Sequence, residues 1–242
     1  MCGRYTLTDV DGRRMAQRYD FDERGLDPAT LGRFNVCPTE SVLVVTARDG
    51  SERAPLAVRW GLVPRSAQVV GKGAQPINVR SETAAGNRWF GSLMAKGGRC
   101  LVPADGWYEW LRAERPKAPR VPFHHRVDGG EPFAFAGIWS RVAVGGEEVA
   151  SAAILTTAAN EVCARLHDRM PCVLAGPEEE AAWLTGEVDA AAAAQLLVPL
   201  DAARTSAVPA NPAVNRAGVE GPEMLVAPGP EQADGQEQLQ LG

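Results

Sequence analysis

From Phe34 to Ala159 the chain is a succession of short apolar runs rich in β-branched and aromatic residues, separated by Gly, Pro and Asp: FNVCPTESVLVVTA, LAVRWGLVP, INVRSET, RCLVPADGWYEWL, VPFHHRV, PFAFAGIWSRV and SAAILTTAA. Side chains that branch at Cβ or carry rings pack well on a pleated surface, and short runs bounded by turn residues read as strands. The middle of the chain is therefore predicted to be mostly β. Helical signals stand at the flanks. RRMAQRYDF reads as a short helix, and GPEEEAAWLTG and VDAAAAAQLL combine helix-start proline, first-turn acids and alanine-rich propagation. The prediction is an α+β fold: one domain over residues 1–226, with a mixed, mainly antiparallel β core and peripheral helices. Residues 227–242, poor in aromatics and rich in Gly, Pro, Gln and acids, are expected to form a disordered acidic tail.

Charge bears on the class of partner. The formal net charge is −5, yet residues 171–242 hold eleven acids and two arginines, which leaves the first 170 residues with 23 basic and 19 acidic side chains. Only three of the 25 basic residues are lysine, and arginine's planar fork suits phosphate. A GC-rich genome produces the same bias. The opening MCGRYTLTDVDGRR lacks the apolar run of a secretory signal, and no stretch has the length of a membrane span, so the cytoplasm is the expected compartment and no membrane partner is expected. Five scattered cysteines without a CxxC pair predict free thiols and no metal or other cofactor. His124 and His125 are adjacent, so in a strand they point to opposite faces. They are expected to be exposed or satisfied strand residues.

Cys2 is the residue with the most chemistry. It follows the initiator methionine, which is ordinarily removed before a small residue, and removal leaves a free α-amine beside a thiol. Reference pKa values of about 7.7–8.0 for the amine and about 8.5 for the thiol make both partly deprotonated near neutrality. Such an aminothiol captures an aldehyde twice: the amine forms a Schiff base, and the thiol then closes a five-membered thiazolidine. An incidental small residue at position 2 is the competing reading. Three further segments hold residue types suited to proton transfer and phosphate contact: INVRSETA with Asn78, Arg80 and Glu82, ADGWYEW with Asp105 and Glu109, and LHDRMP with His167, Asp168 and Arg169. Glu109 between Tyr108 and Trp110 suits an apolar cleft that raises its pKa, or, by strand alternation, an exposed face. His167, Asp168 and Arg169 equally suit a salt-bridge cluster at the end of a helix or loop.

Taken together, these segments resemble the SOS response-associated peptidase-like (SRAP) family of abasic-site processing proteins. The resemblance runs through MCGRY, FNVCPTE, RWGLVP, NVRSETA, RCLVPADGWYEW, AGIW, ILTTAAN and HDRMP, in family order over roughly residues 1–225. It implies a sensor that crosslinks its N-terminal Cys2 to the ring-opened abasic sugar in single-stranded DNA, shielding the lesion by lyase-like Schiff-base chemistry. Asn78 then orients the amine or sugar, Glu109 and His167 serve proton transfer, and Arg4 and Arg80 approach the flanking phosphates. Asn35 and Pro38 match the family's site lining, and Trp60 matches an aromatic near the DNA path. The family's name also implies a peptidase activity in removal of Met1. A monomer is expected. Two positions depart from the pattern: Cys37 stands where a small residue such as alanine is expected, and no second tryptophan follows the RWGLVP run.

The competing class is an N-terminal-nucleophile hydrolase of the glutamine amidotransferase type, which also begins with cysteine, but its other glutamine-site motifs are missing. A noncatalytic single-strand binder requires no N-terminal cysteine.

Overall fold

The computed structural model describes residues 2–48, 52–111, 120–174, 176–184 and 190–228. In chain order the strands are β1 (Tyr5–Leu7), β2 (Arg33–Val36), β3 (Ser41–Arg48), β4 (Glu52–Trp60), β5 (Asn78–Arg80), β6 (Arg99–Ala104), β7 (Gly106–Trp110), β8 (Pro122–Val127), β9 (Phe133–Val144), β10 (Glu147–Ala158), β11 (Arg169–Pro171), β12 (Val173–Leu174) and β13 (Thr205–Pro209). The helices are α1 (Gly12–Tyr19), α2 (Ser81–Ala84), α3 (Arg88–Ala95), α4 (Glu161–Ala164), α5 (Pro177–Leu184) and α6 (Ala190–Ala194). From residue 229 onward the expected tail lies outside the described residues.

The strands divide between two sheets. One is antiparallel throughout, in the order β13-β8-β7-β1-β2. In the other, β9 pairs with both β6 and β10, so β10, β4, β3, β6 and β9 close into a ring, with β11, β12 and β5 attached. Closure removes exposed edges, and the apolar runs read above are buried on both faces of these strands, with Val44, Phe135 and Ile154 on one face and Leu101 on the other. Burial of each such side chain is worth roughly 1.5–3 kcal/mol. The only parallel pairings among the described strands are those of β10 with β4 and β5, so the mixed, mainly antiparallel α+β expectation holds.

A single residue, Asp105, passes the chain from one sheet to the other. Its carboxylate accepts from the Thr6 hydroxyl at 2.5 Å, the Thr8 amide at 2.5 Å and the Thr8 hydroxyl at 2.6 Å, fixing β1 beside the turn. Gly106 follows because β8 crosses closely there: a Cβ at this position would lie 2.2 Å from His124 Nε2 and 2.7 Å from the His125 carbonyl oxygen. On the helical side, Asp11 caps α1 by accepting from the Arg13 and Arg14 amides. Arg18 then makes a bidentate pair with the buried Glu180 at 2.9 and 2.7 Å, tying α1 to α5.

The two adjacent histidines are both buried, because β8 is an interior strand with packing on each face. His124 Nε2 lies 3.1 Å from the Thr6 hydroxyl, and His125 stacks on Trp107 at 4.8 Å between ring centroids. Burial lowers the pKa of His124 to about 3 and of His125 to about 4. Both are neutral in the fold, whereas the unfolded chain takes up protons below about 6.5. Their contribution to stability is thus complete above pH 6.5 and lost as pH falls toward 4 and then 3. At about 1.4 kcal/mol per unit for each group, the pair costs roughly 4 kcal/mol between pH 6.5 and 5. Urea unfolding should show a clearly lower midpoint at pH 5 than at pH 7, with the difference reduced in His125→Phe. Equal midpoints would show that the histidines do not titrate on unfolding.

Candidate active site at the N-terminal cysteine

Cys2 leads directly into β1 and is fully buried. Asn78, the first residue of β5, donates from its side-chain amide to the Cys2 carbonyl oxygen at 2.6 Å. This bond joins the N-terminus of one sheet to a strand of the other. Asn78 is in turn fixed by the parallel pairing of β5 with β10, opposite Ile154. The Cys2 thiol faces the Arg4 carbonyl oxygen at 3.7 Å.

Glu109 arrives on β7, which is flanked by β1 and β8 and therefore exposes neither edge. The pairing of Tyr5 with Trp107 and of Thr6 with Gly106, continued outward, brings Glu109 level with Gly3, beside Cys2. Glu109 is buried, at 4% exposure, which decides between the two readings of the GWYEW alternation. Its charge acts on two thiols. Burial, and after it the Glu109 charge, holds the Cys2 thiol well above the ordinary range. Burial and the same carboxylate push Cys163, on α4, up to about 12. The expectation that the thiol is partly ionised near neutrality therefore fails for the folded chain. Desolvation disfavours the thiolate, so Cys2 has to lose its proton to a base as it reacts.

His167 reaches the same region through α4. Its backbone amide donates to the Cys163 carbonyl oxygen at 3.0 Å, and its side chain is 28% exposed. The ring Nδ1 accepts from the Arg169 amide at 3.0 Å, and the Asp168 carboxylate lies 2.9 Å from the same nitrogen. Arg169 makes a bidentate pair with Glu82 at 2.5 and 2.9 Å and also donates to the Thr156 carbonyl oxygen. This pair lowers the Glu82 pKa and joins β11 to α2 across β10. Among the described residues, no three His, Cys, Asp or Glu side chains converge as a metal site requires, and all five cysteines are free and buried.

The sequence profile of the family described as SOS response associated peptidase (SRAP) matches residues 1–217. The chain belongs to the SRAP family. It is 32% identical over 229 residues to the abasic site processing protein YoqW of Bacillus subtilis, a match covering 93% of this chain and 99% of that one. It is 35% identical over 216 residues to the abasic site processing protein YedK of Escherichia coli, covering 87% and 89%. A crystal structure of a Bacteroides thetaiotaomicron protein superposes with a TM-score of 0.78 at 23% identity, over 94% of this chain and all of that one, and shows the same fold.

In this SRAP chain the remaining candidate residues separate into two groups. Arg80 is exposed at the end of β5, opposite Thr156, and projects beside the Asn78 position. Arg4 instead binds the C-terminal segment: its guanidinium donates to Asn35 Oδ1 at 2.8 Å, the Val214 carbonyl oxygen at 2.5 Å and the Asn215 carbonyl oxygen at 3.4 Å. Asn35 is fully buried and donates to the Arg216 and Val219 carbonyl oxygens at 3.0 and 2.9 Å. Both residues thus hold residues 214–219 against β2. Pro38 is half-buried in the turn between β2 and β3, and the neighbouring Cys37 thiol donates to the Asn35 carbonyl oxygen at 3.1 Å. Trp60 is corrected from a DNA-path aromatic to a core residue. Its exposure is 1%, its indole N–H donates to the Ile77 carbonyl oxygen at 3.0 Å, and the Tyr5 ring meets it edge-on at 5.3 Å. No face of Trp60 is open to a base; it supports the strand that leads to Asn78. Cys163 as a neighbour of Glu109 was not anticipated, because a cysteine in a short apolar helix carries no local signal of what lies across the fold.

Proposed function

We propose that this protein processes abasic sites in single-stranded DNA by capturing the lesion covalently on Cys2 after removal of Met1. The observation that carries the reading is the Asn78 amide on the Cys2 carbonyl oxygen beside the buried Glu109. It supports an N-terminal aminothiol, exposed by removal of Met1, held next to a proton carrier. The relatives named as abasic site processing proteins support the same reading.

An abasic deoxyribose is mostly a closed hemiacetal. Glu109 takes the proton of the C1′ hydroxyl and passes it to the ring oxygen as the bond between C1′ and that oxygen breaks, which opens the ring to the aldehyde and leaves the carboxylate free for the next transfer. The α-amine of Cys2 attacks C1′, and loss of one water gives the Schiff base. The thiol then adds to C1′, its proton leaving through Glu109 while the former imine nitrogen becomes a ring amine. The product is a thiazolidine, formed with net loss of one water. The intramolecular second step has the advantage of effective molarity, which offsets the unfavourable ionisation of the buried thiol. His167 assists proton transfer at the Schiff-base stage, an imidazole being able both to accept and to donate a proton. Arg80 takes a phosphate beside the lesion, which fixes register without reading sequence. A recessed N-terminus reaches C1′ in a single strand and is obstructed by an intact duplex.

A variant with glutamate inserted between Met1 and Cys2 tests the requirement for a free amine. Glutamate is not a small residue, so the methionine is retained ahead of it, and the cysteine keeps its thiol but has no free α-amine. The folded variant should give no stable crosslink to an abasic oligonucleotide. Crosslinking at the parent rate would show that the amine is not the nucleophile.

A further inference from the structure

A cleft of about 970 Å³ opens on the ring of strands, lined among others by Arg65, Arg88, Trp89, Lys96, Trp139 and Arg141. It lies apart from the residues assigned above. Four of its side chains are cationic, none is acidic, and two present indole rings. Arg65, Arg88 and Lys96 are exposed and have no ion-pair partner among the described residues, while Arg141 pairs with Glu148 at 2.9 Å and lies 6.0 Å from the Trp139 ring. Serine hydroxyls of Ser66, Ser92 and Ser140 complete the wall. Cations beside aromatic faces, with hydroxyl donors between them, are the chemistry that holds a sugar-phosphate chain and stacks its bases without reading sequence. The volume is at the upper end of the range for a drug-sized ligand, enough for a nucleotide unit or more.

The strand β10 connects this cleft to the lesion site. Trp139 pairs with Ala152, and Asn78 and Arg80 pair with Ile154 and Thr156 of the same strand. At about 3.3 Å per residue, the two registers are separated by roughly 7–13 Å along β10. The segment entering the cleft is anchored at the same place: Gly61 donates to the Ala152 carbonyl oxygen at 2.8 Å, Leu62 to the Pro76 carbonyl oxygen at 2.9 Å, and the Val63 amide to the Ser151 hydroxyl at 2.9 Å.

We propose that this cleft is a second DNA subsite, which binds the single strand on one side of the abasic residue through phosphate contacts to Arg65, Arg88 and Lys96 and a base stacked on Trp89 or Trp139. This rests on the reading of the protein as a single-strand binder. The subsite sets affinity for the flanking strand and has no part in the chemical step.

The test uses the full chain and two exposed, fold-neutral reversals, Arg65→Glu and Lys96→Glu, combined. Noncovalent affinity is measured by anisotropy for undamaged single strands of three and of fifteen nucleotides, and single-turnover crosslinking for abasic versions extended on the 5′ or the 3′ side only. The double variant should bind the long strand at least tenfold more weakly, with a salt slope shallower by about 1.4, and the trinucleotide as the parent does. Crosslinking of one one-sided substrate should need correspondingly more DNA at an unchanged maximal rate, and the other should be unaffected. Equal losses on long and short strands, or no loss on either, would overturn the subsite. So would parent-like strand binding in a variant that instead loses affinity for a free mononucleotide. If the parent binds strands but forms no crosslink, the covalent reading fails while the anisotropy comparison still decides the cleft.

Discussion

Cys2→Ala is expected to abolish the stable DNA adduct completely while leaving noncovalent affinity for single-stranded DNA within a few-fold of the parent. The alanine chain still has an α-amine after Met1 is removed, so a Schiff base forms, but no thiol follows to close the ring and hydrolysis returns the aldehyde. Cys2→Ser should behave alike, because a hydroxyl is the poorer nucleophile toward the imine. In both variants the transient imine should be trapped by borohydride. The cation contacts assigned to DNA lie elsewhere, at Arg80 and along the cleft, so binding by Cys2→Ala should persist and weaken steeply as salt rises. Cys2 is fully buried, and losing its sulfur leaves a small cavity worth on the order of 1 kcal/mol, which a thermal melt will register as a modest shift. Loss of both adduct and binding in a chain that melts normally would give Cys2 a role in shaping the site rather than in bonding to the lesion.

Glu109→Gln should slow adduct formation by roughly 10²–10⁴-fold, the range associated with a positioned acid–base group. Glutamine keeps the size and hydrogen-bonding capacity of the side chain on β7, so packing between β1 and β8 is retained and only proton transfer is removed. Noncovalent affinity should be nearly unchanged. A small aldehyde that is already open should show a much smaller defect, because one of the two steps assigned to Glu109 is then unnecessary. The carboxylate also raises the thiol pKa of Cys2 and Cys163, after burial, so the variant's thiols become somewhat more acidic even as capture slows. A parent-like rate on abasic DNA would transfer the acid role to His167, which the same pair of substrates tests.

The strand pattern from Phe34 to Ala159 was legible because β-branched and aromatic runs between turn residues leave few alternatives; RCLVPADGWYEWL became β6 and β7, split at Asp105. What local pattern did not reveal was which strands have both faces covered. Alternation in GWYEW allowed Glu109 to be exposed, and only the placement of β7 between β1 and β8 buries it. The same holds for His124 and His125 on β8, and for Trp60, whose motif matched the family while its ring went into the core. INVRSET, read as strand, turns into α2 at Ser81, and α3 and β13 were not anticipated. The sequence RWFGSLMA carries a capping Asn87 and a one-sided apolar pattern, but the segment is only eight residues long and lies next to a β-rich stretch, where its aromatic residues also suit a strand. Arg4 and Asn35 illustrate the limit most directly. Their partners, Val214 to Val219, are about 180 to 210 residues away in the chain, and no local spacing encodes such a contact. Residue type and resemblance singled out Cys2, Asn78, Glu109 and His167 as candidates. Their arrangement was a property of two sheets meeting.

The central claim is a covalent bond between the mature N-terminus and C1′ of the lesion, and intact mass analysis tests it most directly. Purified protein is mixed with a single-stranded oligonucleotide carrying one abasic site, and the product is weighed and then digested to locate the modification. The account predicts a species equal to the protein without Met1 plus the whole oligonucleotide less one water, stable without reductant, with the modification on the peptide beginning at Cys2. An adduct at any other residue, an adduct that retains Met1, or no adduct in a folded protein that binds the strand would contradict it.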